Sequence, residues 1–291
     1  MLRYHVGNKV TEMEDFRHAA VRKYYDSFGE REWLRLTNPN DGAVEWLVNS
    51  HTITKYLPPS PVRILDIGGG PGRYAIWLAK MGYDVVLADI SPELIAIAKT
   101  KIVESGLGDK VETTVADACD LSRWGDESFH AVLSMGPFYH LPEEADRIKA
   151  ATEMLRVLKR GGTAFIALMP LYTLIRRTLA LQDENHHLKD QTWLEALLHS
   201  GHFSNDVSGR FDGGYGINPE EVKPFFEAYG FESLALISSE SITVGIQHLI
   251  ESTRQSDLVA YEAAMQIILD VAADPSILGL ASHLLYVARK N

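Results

Sequence analysis

The residues best suited to chemistry lie between Asp66 and Asp89, where Gly68, Gly69, Gly70 and Gly72 crowd into one turn. Glycines at this density let a ligand approach the backbone and let a strand reverse sharply into a helix. Asp89 closes the apolar run Val85–Ala88, and an ionised carboxylate there can accept two hydrogen bonds from a ribose diol. The combination predicts a nucleoside-cofactor site, because a glycine turn made for packing alone leaves the paired acids unexplained. Gly70, Gly72 and Ala75 also fit the relaxed dinucleotide fingerprint, with Asp89 near the expected offset, so a nicotinamide oxidoreductase is an alternative. Asp66 argues against it. A second carboxylate beside the glycines would repel a pyrophosphate and would welcome a sulfonium carrying an ammonium group. The charge pattern favours S-adenosylmethionine.

The elements that must hold these residues are legible around them. Arg63 to Ser91 reads as strand, glycine turn, helix and strand, with Ala75, Ile76, Leu78 and Ala79 at helical spacing and Gly82 as a stop. This stretch resembles the glycine motif of class I S-adenosylmethionine-dependent methyltransferases. Ser91 with Pro92 starts a further helix, and Val111–Val115, Phe129–Ser134 and Thr163–Met169 read as strands. A helix from Asp146 to Leu158 is expected to end at Lys159–Gly162, and Asn218-Pro219-Glu220-Glu221 reads as a capping box. Strands alternating with helices predict an α/β fold with a doubly wound, mostly parallel sheet. Phe231–Ile237 and His283–Ala288 match the last two strands of the resembled family, which implies seven strands with the last antiparallel. Residues 1–60 are expected to form an N-terminal helical cap, including a helix over Glu14–Phe28 and another over Ala43–Tyr56. Residues 61–291 form the methyltransferase domain on this reading. A lid insertion at 170–217 and a helical segment at 243–281 could cover the carboxyl edge of the sheet.

The resemblance also implies roles for single residues. YYDSFGEREWLRL is similar to the leading segment of small-molecule methyltransferases, which makes Tyr25 and Arg35 candidates to hold the methionine carboxylate. Asp117, at the tip of the third strand, would reach the adenine amino group. Ile90, Ala118 and Met135 complete the candidate cofactor set beside Asp66, the four glycines and Asp89. His140 follows the fourth strand, where a neutral imidazole could take the proton released from a hydroxyl or phenol and give the rate an acid limb. Phe138 and Tyr139 beside it suit a planar acceptor. Tyr172 and Phe203, with Trp193, Phe211 and Tyr215, are the aromatic residues of the expected lid. Met135 and Gly136 stand where amide and adenine methyltransferases carry their amide-binding residues, which argues against those substrates. His186, His187 and His202 lack zinc spacing, and neighbouring histidines in a polar loop are expected to point apart, so no metal is expected.

Composition sets limits. The chain has 291 residues and a net charge of −11 with a pI near 5.5, and it has no run of lysines or arginines. A nucleic-acid partner needs a basic stripe, so a small-molecule acceptor is expected instead. Cys119 is the single cysteine, which suits a reducing compartment. MLRYHVGNKV has no apolar core of the signal-peptide kind, and no stretch approaches the ~18 apolar residues of a membrane span. These features predict a cytoplasmic protein and leave the oligomeric state open. A protein that binds the cofactor without turnover is the alternative outside enzymes.

Overall fold

Short runs rich in β-branched and apolar residues become the strands of one sheet. They are β1 (Arg63–Ile67), β2 (Asp84–Asp89), β3 (Val111–Val115), β4 (Phe129–Ser134) and β5 (Leu158–Leu168). A small hairpin, β6 (His202–Ser204) with β7 (Gly213–Tyr215), precedes β8 (Phe231–Ser238) and β9 (Leu284–Lys290). This computed structural model describes residues 21–26, 29–36, 38, 42–207 and 213–291. Most of the helix expected over Glu14–Phe28, and Phe211, lie outside the described residues. Helical residues are 21–26 (α1), Glu30–Arg35 (α2), Ala43–Tyr56 (α3), Arg73–Lys80 (α4), Pro92–Glu104 (α5) and Glu144–Val157 (α6). Leu171–Ala180 (α7), Gln191–Ser200 (α8), Pro219–Ala228 (α9), Gln247–Ser256 (α10), Leu258–Val271 (α11) and Pro275–Leu278 (α12) follow.

The seven-stranded sheet has the order β3-β2-β1-β4-β5-β9-β8. β1 to β5 pair in parallel, and β9 runs antiparallel between β5 and β8. Because side chains alternate along a strand, each strand feeds two cores. Leu65, Ile67, Val86, Val132 and Ile166 pack with α6 and α9 on one face. Ile64, Val85, Leu87, Leu133 and Phe165 pack with α3, α4, α5 and α11 on the other. Both faces are therefore covered, as a parallel sheet requires.

Two local expectations are corrected. β5 begins at Leu158 rather than Thr163, since α6 runs straight into extended backbone over Lys159–Gly162. A register shift against β4 between Phe129 and Ala131 absorbs the added length. Asn218 does stand at the N-cap of α9, but its side chain makes no capping bond and instead donates to Glu221 Oε1 at 3.3 Å. The insertion expected at 170–217 holds α7, α8 and the β6–β7 hairpin, joined to the sheet edge through the Pro170–Ile217 bridge. Leu174, Trp193, Leu197 and Phe203 form its own small core, which reaches Tyr139 and Ala167.

Candidate active site

β1 leads into α4 on one face of the sheet and β4 leads toward α6 on the other, so the carboxyl ends of these neighbours part to leave a crevice. A crevice of about 980 Å³, its solvent-open mouth included, lies there, walled by the glycine turn, the tips of β2 and β3, the loop after β4, and α1 with α2. Its floor is fixed by backbone. The Gly68 amide donates to Ala88 O at 2.7 Å, and Gly68 sits at φ 71, where a Cβ would meet Pro137 at 2.5 Å. Glycine is required at that position on both counts.

Asp89 is the most firmly held acid in the cavity. Its Oδ2 accepts from the Gly70 amide and its Oδ1 from the Ser91 amide, each at 2.8 Å. Burial nonetheless raises its pKa to about 6, against the lowering by those two amides. Each oxygen keeps a second lone pair for a diol. Glu32 from α2 approaches Gly70, its Cγ coming within 3.8 Å of where a Cβ would stand. Asp117 also lines the cavity while its Oδ1 accepts from the Cys119 amide at 2.8 Å.

The expected residues divide cleanly by position. Tyr25, Arg35, Gly68, Gly69, Gly70, Asp89, Ile90, Asp117, Ala118, Met135, Tyr139 and His140 all border the cavity. Asp66 does not. It lies fully buried beneath Gly69, whose Cβ would come 2.6 Å from its Oδ2, and burial followed by the charge of Asp89 pushes its pKa to about 7. The charge repulsion that disfavours a pyrophosphate therefore comes from Glu32, Asp89 and Asp117 rather than from Asp66. Gly72 caps α4 at φ 89 and faces Leu87 and Ala98, so it serves packing. Phe138 turns away into the core against Phe226, ring centroids 5.2 Å apart. Phe203 is fully buried beside Trp193, and Tyr172 is 53% exposed on α7. None of these last three borders the cavity: Phe138 packs in the main core, Phe203 in the insertion's own core, and Tyr172 faces solvent.

His140 and Tyr25 meet inside the cavity, with the Tyr25 hydroxyl hydrogen-bonded to His140 Nε2 at 2.6 Å. Burial pushes His140 down to about 3 and raises Tyr25, so both are neutral near pH 7. Burial thus moves any acid limb carried by His140 below the ordinary imidazole range.

Arg35 is braced from behind. Its Nη1 donates to Glu45 Oε2 at 2.8 Å and its Nε to Glu32 Oε1 at 3.0 Å. Glu45 lies 3.6 Å from His283 Nδ1, and His283 lies 3.2 Å from Glu240. Burial works against the charge on His283, but Glu45 and Glu240 outweigh it and hold the ring above its ordinary pKa. Arg73 belongs to no motif read from the sequence, yet it lines the cavity and stacks on Trp33, 4.1 Å from the ring centroid. A cation at the first helical position opposes the helix dipole, and that anomaly was its signal. Glu45, Glu240 and His283 gave none, since they come from three distant elements.

A family described as a methyltransferase domain matches residues 64–162. Over these residues the chain carries a methyltransferase domain, in a fold of the class I S-adenosylmethionine-dependent kind. A ubiquinone biosynthesis O-methyltransferase of Xylella fastidiosa (strain 9a5c) is 29% identical over 221 residues, covering 68% of this chain and 80% of that one. Its namesake from Xanthomonas axonopodis pv. citri (strain 306) is 29% identical over 54% of this chain, which spans 60% of that relative's length. A solved S-adenosylmethionine-dependent methyltransferase from Methanosarcina mazei superposes with a TM-score of 0.56 at 21% identity, covering 82% of this chain and 96% of that one. It shares the fold. S-adenosylmethionine is the cofactor of this methyltransferase family, and the fixed Asp89 carboxylate and a cavity large enough for a nucleoside fit it. Among the described residues no helix is long and apolar enough to cross a membrane.

Proposed function

We propose that the protein methylates a small organic molecule, at oxygen in preference to nitrogen. One observation carries this reading: Tyr25 and His140 form a neutral hydrogen-bonded pair in the same cavity that Asp89 enters. S-adenosylmethionine supplies an electrophilic methyl group when bound. Asp89 would accept from the ribose hydroxyls and Asp117 from the adenine amino group. Arg35, kept charged by Glu45 and Glu32, would face the methionine carboxylate. Ile90, Ala118 and Met135 would pack on the nucleoside.

An acceptor hydroxyl beside Tyr25 and His140 would be aligned by the pair and screened from water by Tyr139 and Leu141. With a pKa near 3, His140 is too weak a base to ionise a hydroxyl beforehand. As the new carbon–oxygen bond forms, however, the oxygen becomes a strong acid, and a weak neutral base suffices to take its proton. Proton transfer then accompanies or follows methyl transfer. The names of the two ubiquinone-pathway relatives support oxygen as the acceptor atom. A net charge of −11 and a sequence without a run of lysines or arginines support a small acceptor rather than a nucleic acid, and the lone Cys119 suits a cytoplasmic setting. The test is turnover of labelled cofactor with panels of phenols, alcohols and amines. Methylated ether and S-adenosylhomocysteine in equal amounts are expected; methylated amines alone would move the acceptor atom to nitrogen.

A further inference from the structure

His186 and His187 do not point apart as neighbouring histidines in a loop are expected to. Their ring centroids lie 4.0 Å from each other, and both turn Nε2 toward one oxygen, Asp206 Oδ1, at 2.9 Å for His186 and 3.4 Å for His187. The ligand atoms of all three residues fall within 4.8 Å of one another. Around a tetrahedral zinc ion, ligand atoms stand roughly 3.3 Å apart, and the two nitrogen–oxygen distances bracket that value.

His186 makes the outer contact of a ligating histidine, and His187 would exchange a hydrogen bond to Asn205 Oδ1 for the ion. His186 Nδ1 lies 3.0 Å from the Asp183 carbonyl, which can only accept, so Nδ1 carries the proton and Nε2 presents its lone pair. His187 stacks on Trp193 at 5.1 Å, and its Nε2 also faces Asn205 Oδ1 at 3.1 Å. Asn205 is itself held, donating to the buried Glu184, which Arg177 pairs at 2.7 Å. One dication between the two rings would satisfy both Nε2 atoms and the carboxylate.

We propose that His186, His187 and Asp206 bind one divalent transition metal of the zinc type. Nitrogen with carboxylate oxygen suits that class of ion, and a fourth position stays open to water or to Asn205. The ion would clamp the α7–α8 connection to the end of β6. Through Trp193, the clamp would stiffen the small core that reaches Tyr139 at the cavity wall.

The experiment uses the full chain without a histidine tag, stripped with a chelator and titrated with zinc chloride by calorimetry at pH 7.5. One equivalent should bind in the micromolar range or tighter and raise the melting temperature. Asp206→Asn and His186→Ala, both at exposed side chains, should keep the circular dichroism of the parent and weaken binding at least about tenfold. His248→Ala, on α10, should leave it unchanged. Cobalt(II) should give a visible absorption that Asp206→Asn abolishes. Absence of saturable zinc uptake, or equal uptake by the parent and Asp206→Asn, overturns the proposal and leaves the three side chains as a hydrogen-bonded cluster.

Discussion

At the scale of single residues, Asp89 is fixed in place by two amides, so pH controls its charge rather than its position. Its pKa near 6 in the free protein means that a ligand needing the carboxylate binds better as pH rises through that value, then levels off. Calorimetry with S-adenosylhomocysteine from pH 5 to 8 should show this rise. Asp89→Ala should remove it and weaken binding by about 1–3 kcal/mol. Asp66 acts on stability instead. A folded pKa near 7 against an ordinary 3.8 means the folded state binds the proton more tightly. The stability this gives is present below about pH 4 and is lost as pH climbs through 7. Asp66→Asn should therefore gain a few kcal/mol over the parent at pH 8 and little at pH 4, because each tenfold difference in proton affinity is worth about 1.4 kcal/mol. Equal melting temperatures for the two proteins at pH 8 would refute the raised pKa. For His140, the expectation is a kcat lowered about 10²–10⁴-fold in His140→Ala at saturating cofactor, with a parent rate flat between pH 6 and 8. An acid limb near 6.5 that disappears in the variant would mean that His140 titrates in the usual range.

At the scale of elements, the insertion between β5 and α9 puts its described aromatic residues in packing or at the surface and none at the cavity. Phe203 is fully buried beside Trp193 and Leu197, and truncating such a ring leaves a cavity. Phe203→Ala should cost about 3–5 kcal/mol of stability. Tyr172, on the exposed side of α7, should change stability by less than about 0.5 kcal/mol when replaced by alanine. Chemical denaturation of the two variants separates these outcomes, and a normal acceptor KM in both, measured on folded protein, is expected. A raised KM in Tyr172→Ala would bring α7 to the acceptor.

For the whole molecule, the cavity is assembled from the sheet edge and from α1 and α2, which contribute Tyr25, Glu32 and Arg35. Ligand binding should consequently tie the N-terminal helices to the sheet and report on global unfolding. At a hundredfold excess over its Kd, S-adenosylhomocysteine should stabilise the fold by about 2.7 kcal/mol. NAD should not, because Glu32, Asp89 and Asp117 would face its pyrophosphate. A melting shift with NAD and none with S-adenosylhomocysteine would reverse the assignment of the cofactor.

Local chemistry was enough to place β1 to β4, the glycine turn and the tip of β2. Close backbone approach demands glycine at Gly68, and an acid ending a buried apolar run, as Asp89 does, has no packing reason to be there. Periodicity and end signals likewise located α3, α4 and the start of α5 to within a few residues, since one face of each must be apolar to cover the sheet. The direction of a side chain within a loop was not legible. Phe138, Tyr139 and His140 are consecutive, but the 3₁₀ turn over Pro137–His140 sends the first into the core and the other two to the cavity. The chain of charges from Arg35 through Glu45 and His283 to Glu240 was equally hidden. Its members come from α2, α3 and the ends of β8 and β9, and only the packing of α3 against the sheet brings them within reach. The sequence determines which residues can line a turn or a strand; the tertiary structure decides which distant charges must share one buried space, because desolvation has a cost only once they are enclosed together.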